Sequence, residues 1–284
     1  MNDAHNIVVS EKVQFCVHDG EPLTANYYAP PGSGPFPVVV ALHGGGWRLR
    51  ADNAFRHWGP YLAERGYVLF DVDYRPVEGA KNRYPASVHD VRAAIQFLKG
   101  EASALKVDPE RIACMGDSAG GHLAALAALA GDSAVFAGAH PEDKYARLTT
   151  KVKAVIGVYG VYDMLAQWQH DQYTRPRDHI TEAWLGKSAI DTKQLFHEAS
   201  PFTYTTIENS QTAFLVVWGT GDDIVDPATQ SEPFVTALKQ AKFYVRTVIL
   251  PGAPHYWMWD PIDEPASHTG FLAPRLLRFL RDKL

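Results

Sequence analysis

Short continuous apolar runs recur along this chain at 37–42, 67–73, 111–115, 152–159, 213–218 and 244–250. Runs of this length, bounded by turn residues, read as strands buried on both faces. Between them the apolar period lengthens to that of a helix. Positions 54–65 form one such stretch, stopped by Gly66. Positions 87–99 form another, with Val88, Val91, Ala94, Ile95 and Leu98 on one face. Further helices are expected from Ala119 to about Ala130, over 228–242 and over 270–284. Strands alternating with helices imply βαβ units, hence a mostly parallel central sheet with helices on both faces. Ahead of these units, 13–17 and 24–28 alternate as a β-hairpin would, around Asp19-Gly20. The expected class is therefore α/β, a single domain over 1–284. Two long mixed segments, 132–151 and 163–206, fit no unit. The second holds Trp168, Tyr173, Trp184, Phe202 and a short helix near Ile180–Leu185, and both are expected to form a lid or pocket wall.

Composition narrows the function without naming it. With 284 residues, 46% apolar and 21% charged, the chain can bury a substantial core. A net charge of −5 leaves no basic face for nucleic acid. No stretch reaches the roughly 18 apolar residues of a membrane span, so no membrane partner is expected. Seven Trp and 13 Tyr exceed what packing alone calls for, and some are expected in a pocket. Cys16 and Cys114 have no metal-ligand spacing, and two thiols in a chain this long suggest a reducing compartment. Positions 1–14 are polar and lack an apolar run of signal-peptide length, so a cytoplasmic location is expected.

The chemistry concentrates at strand ends. Gly116-Asp117-Ser118-Ala119-Gly120 lies between an apolar run and a small-residue helix, the setting in which a strained turn exposes a serine as a nucleophile. His43-Gly44-Gly45-Gly46-Trp47 follows another buried run. Three glycines there cost stability and make sense where main-chain N–H groups must approach a developing oxyanion. The expected donors are Gly45, Gly46 and Ala119. An acid is expected in the loop after 213–218, where Asp222, Asp223 and Asp226 compete. Asp222 is favoured because Gly-x-x-Asp-x-x-Val turns Val225 back to the core. Asp223 is the runner-up, and Asp226, before a proline, reads as a helix N-cap. Among twelve histidines, His255 stands in a Gly/Pro-rich loop after the last strand. Ser118, Asp222, His255 is the chain order of a serine-hydrolase triad on an α/β sheet. His122 reads as a packing or solvated residue, and His268 as a cap of the final helix. Asp73, Tyr74 and Arg75 read as scaffold, His43 as an orienter of the glycine loop, and Asp117 as a turn-stabilising or site-tuning residue.

These motifs, with Tyr84-Pro85-Ala86, Asp108-Pro109-Glu110-Arg111-Ile112, Ser200-Pro201 and Gly219-Thr220-Gly221-Asp222, resemble the hormone-sensitive-lipase-like side of the α/β-hydrolase superfamily. They most resemble the small carboxylesterases grouped with bifunctional feruloyl and acetyl-xylan esterases. The resemblance runs from about Val13 to the C-terminus. It implies an α/β-hydrolase fold, ester hydrolysis through an acyl-enzyme, no metal or organic cofactor, Ser118, Asp222 and His255 as triad, and Gly45, Gly46 and Ala119 as oxyanion hole. Two departures stand out. About 36 residues precede the first buried strand, where lipase-like members carry a long helical cap, so any lid comes from the internal insertions. The bulky Tyr256, Trp257 and Trp259 replace the family's smaller residues around the histidine, implying an aromatic wall; Trp47, Tyr256 and Trp257 are the expected substrate contacts. Two rival readings remain. One is an arylformamidase-type amide hydrolase using the same apparatus, and the other is a non-catalytic receptor on this fold. The partner expected is a small-molecule ester, with a homodimer contact through the last helix and edge strand.

Overall fold

A computed structural model describes residues 7–51 and 53–284; of the polar stretch 1–14, positions 1–6 lie outside the described residues. Eight strands form one sheet in the order β1-β2-β4-β3-β5-β6-β7-β8. The hairpin of β1 (Val8–His18) and β2 (Glu21–Ala29) is antiparallel and joins β4 (Val68–Asp73) antiparallel through β2. From there β3 (Phe36–Leu42), β5 (Val107–Asp117), β6 (Ala154–Val158), β7 (Ala213–Gly219) and β8 (Val245–Leu250) run parallel. This is the mostly parallel α/β sheet expected from the alternation of strands and helices, in the α/β-hydrolase architecture that the resemblance implies.

The strands are apolar at consecutive positions because each feeds two cores. In β3, Val38, Val40 and Leu42 join one cluster, while Val39 and Ala41 join the other. The first core is closed by α2 (Ala86–Gly100), α3 (Ala119–Ala130) and α7 (Ser231–Gln240), through Val88, Val91, Leu123, Leu126, Phe234 and Leu238. The second is closed by α1 (Trp58–Ala63) and α8 (His268–Lys283), through Trp58, Leu62, Leu272 and Leu276.

Several boundaries differ from the sequence expectation, each for a local reason. Helix α1 begins at Trp58 rather than 54. Pro60 has no N–H to give the carbonyl four residues earlier and its ring crowds that position, so the helix starts only just ahead of it. Strand β1 starts five residues before 13. Val8 and Val9 are half exposed, so no alternation marks them, and they pair only because β2 offers a long partner. Strand β5 reaches back to Val107, which pairs with Phe36 across a register shift. Asp226 does not cap α7. It accepts from Ala228 N at 3.1 Å in a separate turn, four residues before Gln230, Ser231 and the helix proper. His268 does not cap α8 either. Ser267 does so, accepting from Gly270 N at 2.9 Å, and His268 is the first helical residue. The hairpin turn is as expected: Asp19 and Gly20 both have positive φ, 52° and 79°, which matches the right-handed strand twist.

The 163–206 segment folds as α4 (Met164–Thr174), α5 (Ile180–Leu185), α6 (Lys193–Glu198) and a 3₁₀ turn, Pro201–Tyr204. It lies over the carboxyl ends of the strands. The 132–151 segment does not. Gln96 of α2 donates to the carbonyls of Ala146 and Leu148, and Asp143 reaches His18 of β1. Among the described residues, no helix is long and apolar enough to cross a membrane.

Candidate active site

Strand β5 ends at Asp117 and α3 begins at Ala119, leaving Ser118 to make the whole turn at φ 52° and ψ −120°. A non-glycine residue rarely holds such a backbone, and the surroundings must enforce it. They do so by close approach: a Cβ at Gly120 would fall on the carbonyl of Leu42, and one at Gly116 on the backbone of Gly120. The small residues flanking Ser118 are therefore what lets helix and strand meet at this angle.

His255 Nε2 lies 3.0 Å from Ser118 Oγ, and His255 Nδ1 lies 2.7 Å from Asp222 Oδ2. The other carboxylate oxygen, Asp222 Oδ1, accepts from Ile224 N at 3.0 Å and Val225 N at 2.9 Å. All three side chains are buried. With Nδ1–H donating to the carboxylate, Nε2 is left to accept from the hydroxyl. Val225 turns into the core and Asp223 is exposed, so of the three loop aspartates only Asp222 reaches the histidine. Tyr159, just past β6, packs its ring 4.4 Å from that of His255 and accepts from Met258 N at 3.0 Å through its hydroxyl. Sequence reading did not single it out, although an aromatic residue directly after a rim strand was the available signal.

The glycine loop sits beside the serine. Gly45 and Gly46 have φ of +110° and +58°, and both line the same cavity as Ser118 and Ala119. Ala119 opens α3, where the first N–H groups have no intrahelical acceptor and the helix dipole is positive. Gly44 N donates to Asp117 Oδ1 at 3.0 Å, and Trp259 Nε1 donates to the same oxygen at 3.1 Å. Asp117 thus ties the serine turn to the glycine loop and to the histidine loop. Burial pushes its carboxyl up to about 6, against the pull of those two hydrogen bonds. His43 stacks on Tyr74 at 4.4 Å, and Tyr74 Oη donates to His43 O at 2.8 Å. Arg75 is bound by Asp90 and Asp19, while Asp73 meets Arg50 at 3.2 Å. These residues brace the loop and do not touch the cavity.

The expected aromatic contacts separate. Trp47 lines the cavity with its ring stacked on Trp184 at 4.9 Å, its Nε1 donating to His122 Nδ1 at 3.1 Å. His122 is fully buried, donates Nε2–H to Ala199 O at 2.8 Å, and is pushed down to about 4 by burial. It is a packing residue. Tyr256 is 68% exposed and lines the cavity mouth. Trp257 does not line it. This side chain is buried in the second core against Tyr159, at 5.2 Å, because the positive φ of Tyr256 (66°) turns neighbouring side chains to opposite sides. Trp259 is likewise committed to Asp117.

The cavity is about 100 Å³. Its far wall comes from the 163–206 segment, through Gln167, Asp171, Arg175 and Ile180. Gln167 Nε2 donates to Asp171 Oδ1 and Ile224 O, both at 2.9 Å. Its Oε1 and Arg175 Nε are buried without a hydrogen-bond partner among the described residues. Sequence reading found the segment but not these side chains, since a polar residue on or just after a short helix looks like any surface position.

The chain is 31% identical over 253 residues to Esterase LipC of Mycobacterium tuberculosis, covering 87% of this chain and 58% of that protein. It is 28% identical to a probable isoprenylcysteine alpha-carbonyl methylesterase, ICME, of Oryza sativa, covering 80% and 54%. The chain thus spans about half to three fifths of the length of the curated relatives it matches. Among solved structures it superposes on the butyrate-bound esterase Est2 of Thermogutta terrifontis, with a TM-score of 0.78, 24% identity and coverage of 96% and 94%. It also superposes on a bifunctional GH43-CE protein of Bacteroides eggerthii, with a TM-score of 0.78, 24% identity and coverage of 96% and 38%. At these identities the two structures speak to the fold. The BD-FAE family model matches residues 26–238, three quarters of the chain and the span that holds Ser118, the glycine loop and Asp222, and the chain belongs to that family.

Proposed function

We propose that the protein is a serine carboxylesterase acting on small esters. The observation that carries this reading is the relay from Asp222 through His255 to Ser118, with hydrogen-bond lengths of 2.7 and 3.0 Å at the mouth of the cavity. Ser118 Oγ attacks the ester carbonyl as its proton passes to His255 Nε2. The carbonyl oxygen takes the negative charge and is met by the N–H groups of Gly45, Gly46 and Ala119. The intermediate collapses, His255 returns the proton to the departing alkoxide, and an acyl-serine remains. Water then repeats the sequence, giving its proton to His255 and releasing the acid and free Ser118. Asp222 holds the imidazole in the required tautomer and stabilises its cation.

The cavity supports a short acyl chain, because about 100 Å³ is well below the roughly 300–1,000 Å³ of ordinary ligand pockets. Est2 has been seen with butyrate and with propionate, in keeping with that size. The unpartnered Gln167 Oε1 and Arg175 Nε favour a substrate with a hydroxyl or carbonyl group near the ester. Tyr256 and Trp47 complete the wall. Two free thiols fit a reducing, cytoplasmic location. The edge strand β8 and the adjacent α8, with Ile249 and Phe271 exposed, are the surface a homodimer would use.

The test is turnover of p-nitrophenyl acetate and butyrate, with N-formylkynurenine in parallel, by the parent and by Ser118→Ala. The parent is expected to cleave the esters faster than the formamide and to react stoichiometrically with a fluorophosphonate. Ser118→Ala is expected to retain its fold and lose at least ~10³-fold in kcat. An unaltered rate in that variant refutes the proposal. A preference for the formamide converts it to an amidase.

A further inference from the structure

A second cluster of chemically competent side chains lies against α2, away from the cavity. Cys16 and His18 project from β1, and Asp143 comes from the 132–151 segment. One ligand atom from each, a sulfur, an imidazole nitrogen and a carboxylate oxygen, lie within 4.8 Å of one another. Cys16 Sγ is 3.2 Å from Asp143 Oδ1, and His18 Nε2 is 2.9 Å from Asp143 Oδ2. The second nitrogen of His18, Nδ1, is 2.9 Å from Asp90 Oδ1, and Asp90 is itself fully buried and gripped by Arg75.

We propose that Cys16, His18 and Asp143 form a binding site for a divalent transition-metal ion of the zinc type, with water as the fourth ligand. Four features of the cluster point there. Thiolate, imidazole and carboxylate together are the donor set zinc accepts, at about 2.0–2.3 Å, which sets neighbouring donors about 3.2–3.7 Å apart in a tetrahedron. One donor atom from each of the three residues lies within 4.8 Å of the others, so a modest contraction closes the site. His18 is oriented as a ligating histidine should be: Nδ1–H is held by the buried Asp90, so Nε2 is the nitrogen presented to the ion. The cluster is also reachable, because Cys16 is only partly buried and the Asp143 side chain is 15% exposed, whereas His18 and Asp90 are sealed.

Charge balance allows the exchange. In the metal-free cluster both ring nitrogens of His18 face carboxylates, so the ring carries two protons, and Cys16 donates its S–H to Asp143. Binding expels the Nε2 proton of His18 and the thiol proton of Cys16, and the ion brings in two positive charges. The net charge of the cluster is unchanged, and no oxidant or reductant takes part. The result is a staple between the N-terminal hairpin and a segment 125 residues away, beside α2, whose Asp90 holds the other ring nitrogen. None of its residues lines the Ser118 cavity, so the ion serves structure and not the ester chemistry.

The test uses the full chain stripped with a chelator, titrated with zinc by calorimetry in buffers of different ionisation enthalpy and with cobalt(II) by absorbance. One equivalent of zinc per chain, proton release on binding and a sulfur-to-cobalt charge-transfer band are expected, together with a rise in Tm. Cys16→Ser, nearly isosteric, should remove the sulfur band. Asp143→Asn, at a partly exposed position, should keep it. Each should weaken zinc binding by on the order of 10–100-fold while leaving the fold intact by circular dichroism. Zinc bound equally well by the parent and both variants places it on other histidines and overturns the site. So does the absence of binding, or a cobalt spectrum without the sulfur band.

Discussion

His255 and His18 are both buried histidines whose Nδ1 is held by an aspartate, and they differ in what the other nitrogen meets. At the carboxyl rim of the sheet, His255 Nε2 meets the hydroxyl of Ser118 at 3.0 Å. Beneath the hairpin, His18 Nε2 meets the carboxylate of Asp143 at 2.9 Å. A hydroxyl can give its proton away and a carboxylate cannot, so the first ring is free to act as a base. The second ring, between two anions and without a metal, keeps both protons at neutral pH, its pKa raised, against burial, to about 10 by the hydrogen bonds to those anions. One carboxylate orients an imidazole, whereas two neutralise it as a base. His122 completes the series. With a Trp N–H on one side and a carbonyl on the other, and no carboxylate, it stays neutral.

Asp222→Asn gives the sharpest break in this comparison. Asp222 Oδ1 accepts two backbone N–H groups, so the asparagine keeps its oxygen there and turns its NH₂ toward His255. Nδ1 must then accept, Nε2 carries the proton, and Ser118 loses its base. The expected loss in kcat at neutral pH is on the order of 10⁴, with little change in Tm. A loss below tenfold would mean that the ring does not depend on the carboxylate for its tautomer.

Next in size is the pH dependence of stability set by His18. Its folded pKa lies above the ordinary 6.5, so its contribution is fully present below about 6.5 and is lost as pH rises through about 10. Urea unfolding of metal-stripped protein is expected to show stability falling by a few kcal/mol across that window, beyond what His18→Gln shows. Parallel curves for parent and variant would show that the two carboxylates do not hold the proton.

The two histidine sites were not equally legible in the sequence. The rim was readable because its parts are local: an apolar run, then glycines, serine, aspartate or histidine, four times over. The class of fold was readable for the same reason, since strands feeding two cores, β6 and β7 above all, are buried at consecutive positions. His18 has no such frame. Its partners lie 72 and 125 residues away, and only packing brings them together. The same holds for Gln167 and Arg175, which reach the cavity through the fold of the insertion. Trp257 failed in another way. Adjacency to His255 placed it in the pocket, but the positive φ at Tyr256 (66°) sends it to the core.

The smallest expected effect tests whether a carboxylate that does not touch His255 still acts on it. Asp117 is buried beside the serine turn, and its carboxyl is pushed up to about 6 by burial, partly offset by Trp259, Gly44 and the charge of His255. Since the folded value lies above the ordinary 3.8, its contribution to stability is present below about 3.8 and lost as pH rises through about 6. A shift of this size corresponds to roughly 3 kcal/mol. Asp117→Asn keeps the acceptor for Gly44 N and Trp259 Nε1 and removes the ionisation. Its urea midpoint should therefore fall less than that of the parent between pH 4 and pH 8. In return, the imidazolium formed during acylation loses a nearby anion. The kcat ratio of parent to variant should be close to one below pH 5 and rise severalfold through pH 6, as Asp117 ionises in the parent alone. A ratio that stays flat across that range would assign Asp117 to holding the loops together, and would leave His255 with Asp222 as the single anion that matters to it.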